Sequence, residues 1–119
     1  MPSSPFGKIA ASTRYAVRGL RFLLEERNAR LLLAGTVVTG AAGGYFGLAP
    51  LEWCAVIFAI ALLWVAEGLN SALERLTDLV SPGYHPLAGK AKDIAAGAVM
   101  IALIAAVSIG VVIFGPRLL

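Results

Sequence analysis

Charged residues are scarce in this chain, and that scarcity decides its class. Asp, Glu, Lys and Arg make up 14% of the 119 residues, whereas about a quarter is usual in a soluble domain. Hydrophobic residues make up 59%, and the mean hydropathy is +0.83. An ordinary soluble domain is therefore excluded, and the sequence predicts a single integral membrane domain over residues 1–119.

Cysteine and histidine are almost absent. With Cys54 alone the chain cannot form an intramolecular disulfide, and a lone His85 cannot build the nitrogen and sulfur ligand set of a zinc site. A metal held by this chain must therefore take oxygen ligands from carboxylates. Such ligands favour a hard cation, and Mg²⁺ is the one that we expect.

Aromatic residues are also few, at 8% of the chain. The net charge of +3 suggests an anionic partner, but the basic residues flank apolar segments and form no basic surface interleaved with aromatics. We therefore expect no nucleic acid among the partners.

Three segments are long and apolar enough to cross a membrane as helices: 31–49, 52–80 and 90–115. The second of them continues beyond its apolar part as a polar extension. Before them, residues 5–27 place apolar side chains beside a face of arginines, which is typical of a helix in the membrane surface. The predicted fold class is all-α integral membrane, with three transmembrane helices preceded by an N-terminal amphipathic surface helix.

The positive residues also predict the orientation. Lys and Arg concentrate before the first span and between the second and third, whereas the connection between the first two spans has none. Positively charged loops stay on the cytoplasmic side. We therefore expect a cytoplasmic N-terminus and second loop, with the C-terminus outside.

Polar residues reappear at the end of the second span as Glu67, Asn70, Glu74 and Asp78. At about 100° per residue, all four fall within roughly 80° on one helix face. Carboxylates where a helix leaves lipid are costly, so this stripe is the first candidate for a functional site.

The predicted orientation turns the stripe towards the compartment that contains ATP. Polar clusters at 25–28, 84–89 and 90–93 should lie at the same interface. Carboxylates from separate helices suit Mg²⁺ carrying a nucleotide, and Lys92 near a helix start suits a phosphate. A remaining carboxylate could accept a proton from a hydroxyl, so the combination indicates phosphoryl transfer at a membrane surface.

The residues of the stripe, EGLNSALE at 67–74 with Asp78, are followed by HPLAGKAKD at 85–93. Together they resemble the prokaryotic diacylglycerol kinase family, which includes undecaprenol kinases. The likeness covers almost the whole chain, including 18–21 and 26–28. It implies a homotrimer in a bacterial plasma membrane, with active sites between neighbouring subunits. The implied reaction transfers the γ-phosphoryl group of ATP to diacylglycerol or undecaprenol.

The resemblance also implies roles for single residues. Glu67 would be the general base on the lipid hydroxyl, Asn70 would orient that base or the substrate, and Glu26 and Glu74 would hold Mg²⁺. The residues implied at the nucleotide are Arg14, Tyr15, His85, Gly89, Lys90, Lys92 and Asp93. The residues implied at the lipid are Glu67, Asn70 and Ala96.

Some side chains keep two interpretations at this point. His85 suits a loop hydrogen bond as well as a nucleotide contact, and Asp78 suits a structural as well as a catalytic role. Arg75 and Glu25 are expected to contact solvent or lipid headgroups. For the whole chain, the alternative to a kinase is a small channel or transporter subunit with an acidic ion path.

Overall fold

The computed structural model describes residues 4–119, and every regular element in that range is an α-helix. The all-helical prediction is therefore confirmed. The helices are α1 (Pro5–Leu24), α2 (Arg27–Phe46), α3 (Pro50–Val80) and α4 (Pro86–Leu118).

Helix α1 begins as its sequence predicts. The Ser4 hydroxyl accepts a hydrogen bond from the Gly7 amide at 3.0 Å, and Pro5 occupies the first turn. Large apolar side chains such as Phe6 and Leu20 are exposed along the helix, while Leu23 is buried. The exposed apolar side chains leave a surface that the chain itself does not cover, as a surface helix requires.

The junction between α1 and α2 differs from the predicted boundaries. Helix α1 ends at Leu24, before the predicted end at residue 27, and α2 begins at Arg27, four residues before the predicted membrane span at 31–49. The Arg30 side chain donates to the carbonyl oxygens of Leu24 (3.2 Å) and Glu25 (3.0 Å). Those carbonyls have left the helical ladder, so Arg30 stabilises the break from the far side of the turn.

A tight turn joins α2 to α3. Gly47 adopts the left-handed conformation at φ 66°, and the amides of Gly47 and Leu48 both donate to the Gly43 carbonyl. The Glu52 carboxylate then accepts from the Ala49 amide at 2.9 Å and caps the start of α3. Gly43 is buried against the Trp53 ring, so the two helices approach each other closely here.

This close approach makes Gly43 sensitive to added volume. A Cβ at Gly43 would lie 2.5 Å from Cη2 of Trp53 and 3.0 Å from two further ring carbons, so helix or ring must shift. We expect Gly43→Ala to lower stability by about 1–3 kcal/mol, seen as a lower unfolding midpoint in detergent micelles. At Gly44 a Cβ meets nothing within 4 Å, so Gly44→Ala is the matched control and should not be destabilising. Equal effects at both glycines would contradict this packing argument.

Helices α3 and α4 are the principal packed pair and run antiparallel. At one end Arg117 makes a two-pronged ion pair with Glu52 at 2.7 and 2.8 Å. At the other end Lys92 donates to Asp78 at 2.6 Å, close to the connection at 81–85. These two ion pairs mark opposite ends of the helix pair.

Helices α3 and α4 are each long and apolar enough to cross a membrane. Only 22% of the most apolar segment of α3 and 11% of that of α4 are buried within the chain. Most of this apolar surface is therefore available to contact lipid or another subunit. Helix α2 is less apolar because it includes Arg27, Arg30 and four glycines. The third span therefore remains a prediction.

Candidate active site

The polar stripe lies on α3, and its first residues are buried. Glu67 is 6% exposed, Asn70 9% and Ser71 2%, whereas Glu74 and Asp78 are exposed. The helix is continuous from Pro50 to Val80, so the predicted spacing holds the stripe on one face. A buried carboxylate and a buried amide at the start of the stripe are the core of the candidate site.

Asn70 is only partly satisfied. Its Nδ2 donates to Oε1 of Glu74 at 3.4 Å, which is a long hydrogen bond. Its Oδ1 is buried and has no hydrogen-bond partner within residues 4–119. A buried acceptor without a donor is costly, so this oxygen is a natural place for a ligand to donate.

Glu26, from the turn between α1 and α2, is fixed against α3 by two residues that the sequence alone did not assign to the site. The Ser71 hydroxyl donates to Oε1 of Glu26, and the Arg75 guanidinium lies 3.2 Å from the same oxygen. Arg75 was expected to contact solvent or lipid headgroups; its side chain is half exposed, but it also forms an ion pair with Glu26 that the sequence did not predict. Ser71 falls at about 40° from Glu67 on the helix, so its place on the stripe was detectable.

Three carboxylates thus share one region. The negative charges of Glu26 and Glu74 both act on the buried Glu67. No group of three or more His, Cys, Asp or Glu side chains in the described part of the chain could hold a metal by itself. Mg²⁺ commonly takes only one or two protein carboxylates and completes its shell with phosphate and water. The donor chemistry therefore fits a cation that arrives with a nucleotide.

Lys92 lies in the first turns of α4, and the structure gives it a protein partner. Its ammonium contacts Asp78 at 2.6 Å, and the charge of Glu74 also acts on it. Asp78, whose role the sequence left open, is the partner of this lysine. Glu74 therefore influences both Glu67 on one side and Lys92 on the other.

The other predicted nucleotide-binding residues at the start of α4 make few side-chain contacts with the rest of the described chain. His85 Nδ1 accepts from the Leu87 amide at 3.1 Å, so the imidazole caps α4 and makes the loop hydrogen bond. Gly89, Lys90 and Asp93 follow in the first turns of the same helix. Lys90 and Asp93 make no side-chain hydrogen bond or ion pair that the structure records for residues 4–119.

The other residues predicted to bind the nucleotide or the lipid lie apart from the stripe. Tyr15 is 65% exposed, and the Arg18 guanidinium lies 5.9 Å from its ring centre. Neither Arg14 nor Tyr15 is hydrogen-bonded or ion-paired to the carboxylates within the described residues. Ala96 is exposed on α4. A single chain therefore brings the base and metal candidates together but not the whole predicted nucleotide site.

An apolar cavity of about 600 Å³ lies between α2, α3 and α4, and Glu67 is at its polar end with Asn28. Its walls are mainly aliphatic, with Leu63 and Leu103 among them. The Thr36 hydroxyl in this wall donates to the Leu32 carbonyl at 2.7 Å and accepts from the Trp64 indole at 3.0 Å. Its hydrogen-bonding capacity is thus used inside the protein, and the cavity presents a largely apolar surface.

Comparison with known proteins identifies the family of this chain. The family model for prokaryotic diacylglycerol kinase matches residues 14–114. The chain belongs to this family. It is a membrane lipid kinase, and its use of ATP with a divalent metal follows from that membership.

Curated relatives of the kinase carry two names. It is 37% identical to undecaprenol kinase from Bacillus subtilis over 78% of this chain and 76% of that protein. It is 37% identical to a diacylglycerol kinase from Synechocystis over 93% of this chain, which spans 65% of that longer protein. It is 30% identical to diacylglycerol kinase from Escherichia coli over 86% of this chain and 84% of that protein. The names of these relatives thus refer to two different lipids.

Proposed function

We propose that this kinase transfers the γ-phosphoryl group of ATP to the hydroxyl of diacylglycerol or of undecaprenol. The observation that carries the proposal is the position of Glu67, a buried carboxylate at the polar end of an apolar cavity. Such a cavity suits a hydrocarbon chain, and its polar end then sets the lipid hydroxyl beside the carboxylate.

Glu67 is the proposed general base. Its carboxylate accepts the hydroxyl proton as the lipid oxygen attacks the γ-phosphorus, so that the oxygen is an effective nucleophile. The bond from the γ-phosphorus to the bridging β–γ oxygen breaks, and ADP leaves with that oxygen. Asn70 donates from Nδ2 to Glu74 and so orients the metal side of the site. Because the single hydroxyl hydrogen of either lipid goes to Glu67, Asn70 would orient the substrate by donating its second Nδ2 hydrogen to the lipid oxygen.

Glu26 and Glu74 are the proposed ligands of Mg²⁺. The bound cation would offset the negative charge of the phosphates and hold them in line for attack. Glu26 reaches α3 from the turn before α2, and Glu74 lies on α3 itself, so they can bind from two elements. Lys92 would contact the phosphates, which requires its ammonium to leave Asp78.

The outer nucleotide contacts are proposed by resemblance. Arg14 and Tyr15 on α1, with His85, Gly89, Lys90 and Asp93 at the start of α4, would line the nucleotide. Ala96, further along α4, would contact the lipid. Their separation from the carboxylates in one chain supports a site completed by a neighbouring subunit.

We therefore propose a homotrimer with active sites between subunits. The exposed apolar surface of α3 and α4 gives such an assembly area to bury. The number three rests on the resemblance alone. In this arrangement α2 is the third transmembrane span, the N-terminus lies in the cytoplasm of a bacterium, and the C-terminus lies outside its plasma membrane.

The alternative of a channel subunit lacks such support. An ion path needs polar groups through the depth of the bilayer. The cavity between the helices is instead largely apolar away from Glu67 and Asn28, and the family consists of kinases.

A direct assay tests the proposed reaction. Purified protein in mixed lipid micelles is incubated with Mg²⁺ and γ-labelled ATP and with either a short-chain diacylglycerol or undecaprenol. We expect label on at least one lipid, and the preferred lipid identifies the substrate class. Label on neither lipid, with a properly folded sample, would refute the proposal.

A further inference from the structure

Arg75 is the cation in direct contact with the cluster of carboxylates formed by Glu26, Glu67 and Glu74. Its guanidinium lies 3.2 Å from Oε1 of Glu26. Neither Glu67 nor Glu74 forms an ion pair within residues 4–119. The Arg75 guanidinium thus pairs with the one carboxylate of the cluster that comes from outside α3.

The Arg75 side chain can also withdraw. It is 52% exposed, whereas the Glu26 side chain is 27% exposed, so solvent can receive the guanidinium without opening the helix packing. Ser71 donates to the same Glu26 oxygen and is buried, so the carboxylate stays near α3 when Arg75 leaves. Glu26 therefore has one fixed neutral partner and one exchangeable charged partner.

We propose that Arg75 is a resident counter-ion of the metal site, which a divalent cation must displace from Glu26. The proposal rests on the proposed function of Glu26 as a metal ligand. A cation that approaches Glu26 meets the positive guanidinium and competes with it for the same oxygen, because Arg remains protonated at all ordinary pH values. In the metal-free protein, Arg75 instead reduces the repulsion among the three carboxylates and stabilises the junction of α1 with α3. Arg75 is thus a residue that tunes metal affinity, acting through Glu26.

The test measures binding of Mn²⁺ alone, from the decrease of its free electron paramagnetic resonance signal, with full-length protein in micelles. We expect Arg75→Met to lower the Kd for Mn²⁺ by about 1.5- to 5-fold, the range that corresponds to exposed ion pairs. The same variant should have a lower unfolding midpoint without metal. Arg75→Lys keeps the charge and should stay near the wild-type Kd.

Arg117→Met is the matched control, because it breaks the same type of ion pair with Glu52 at the opposite end of the helix pair. It should lower the unfolding midpoint but leave the Kd for Mn²⁺ unchanged. An unchanged or higher Kd in Arg75→Met overturns the proposal, and Arg75→Gln gives the same comparison if the methionine variant folds poorly.

Glu26→Gln separates this inference from the proposed function on which it depends. Weaker Mn²⁺ binding in Glu26→Gln, together with tighter binding in Arg75→Met, supports both. Weaker binding in Glu26→Gln with no change in Arg75→Met overturns only the counter-ion role. Wild-type binding in Glu26→Gln overturns the metal assignment and the counter-ion role together.

Discussion

Glu67→Gln is expected to lower kcat by about 10²- to 10⁴-fold, the range that a general base contributes. Glutamine keeps the size of the side chain and one acceptor oxygen but loses the basic carboxylate. Because Glu67 is buried near the charges of Glu26 and Glu74, its removal also relieves repulsion. We therefore expect the unfolding midpoint to stay the same or rise while turnover falls.

The measurement is lipid phosphorylation at saturating Mg²⁺, ATP and lipid, together with thermal unfolding of the same samples. Glu25→Gln is the control, because Glu25 is exposed and its side chain makes no recorded contact within the described residues. It should keep the wild-type rate. Turnover within tenfold of wild type in Glu67→Gln would refute the base assignment and leave the family assignment intact.

Lys92→Met is expected to lower kcat/KM for Mg-ATP by about 10²- to 10³-fold, the cost of losing one preorganised group that stabilises transition-state charge. The Lys92 ammonium lies at the start of α4, where it contacts Asp78 and interacts electrostatically with Glu74. Methionine keeps most of the side-chain volume and removes only the charge and its donors.

Asp78→Asn distinguishes a phosphate contact from a structural ion pair. Both variants lose the same exposed ion pair, which contributes little to stability because solvent screens it. If Lys92 binds phosphate, Asp78→Asn should change kcat/KM by less than about tenfold, because it leaves the lysine free to reach the phosphates, whereas Lys92→Met should lower it far more. Similar small losses in the two variants would show that Lys92 serves only to hold α3 and α4 together at this end.

The helices could be predicted from the sequence because the signals that mark them, capping residues and apolar stretches, are local. Ser4 and Pro5 identify the start of α1, and an uninterrupted apolar stretch followed by a polar stripe identifies α3. The turn between α1 and α2 could not be located from the sequence, because Arg30 stabilises it by donating to the carbonyl oxygens of Leu24 and Glu25. The helix propensities of the residues in this segment do not predict that contact.

The polar stripe could be predicted from the sequence for the same reason. Residues three or four apart on a helix share a face in any fold, so their spacing alone is enough to group Glu67 with Asn70. The side chains that contact the stripe could not be predicted from the sequence. Glu26 meets Ser71 across 45 positions of sequence, and Lys92 meets Asp78 across the connection between α3 and α4.

The sequence by itself determined a helical membrane protein with an acidic stripe on one helix face, because composition and helical period do not depend on tertiary contacts. Its motifs at 67–78 and 85–93 also resemble those of a lipid kinase family. The tertiary structure decided which charges meet. It pairs Arg75 with Glu26 and Lys92 with Asp78, and it leaves Asn70 Oδ1 without a donor within residues 4–119. The physical reason is that an ion pair acts over a few ångströms, and only the packing of α1 to α4 brings those side chains within that distance.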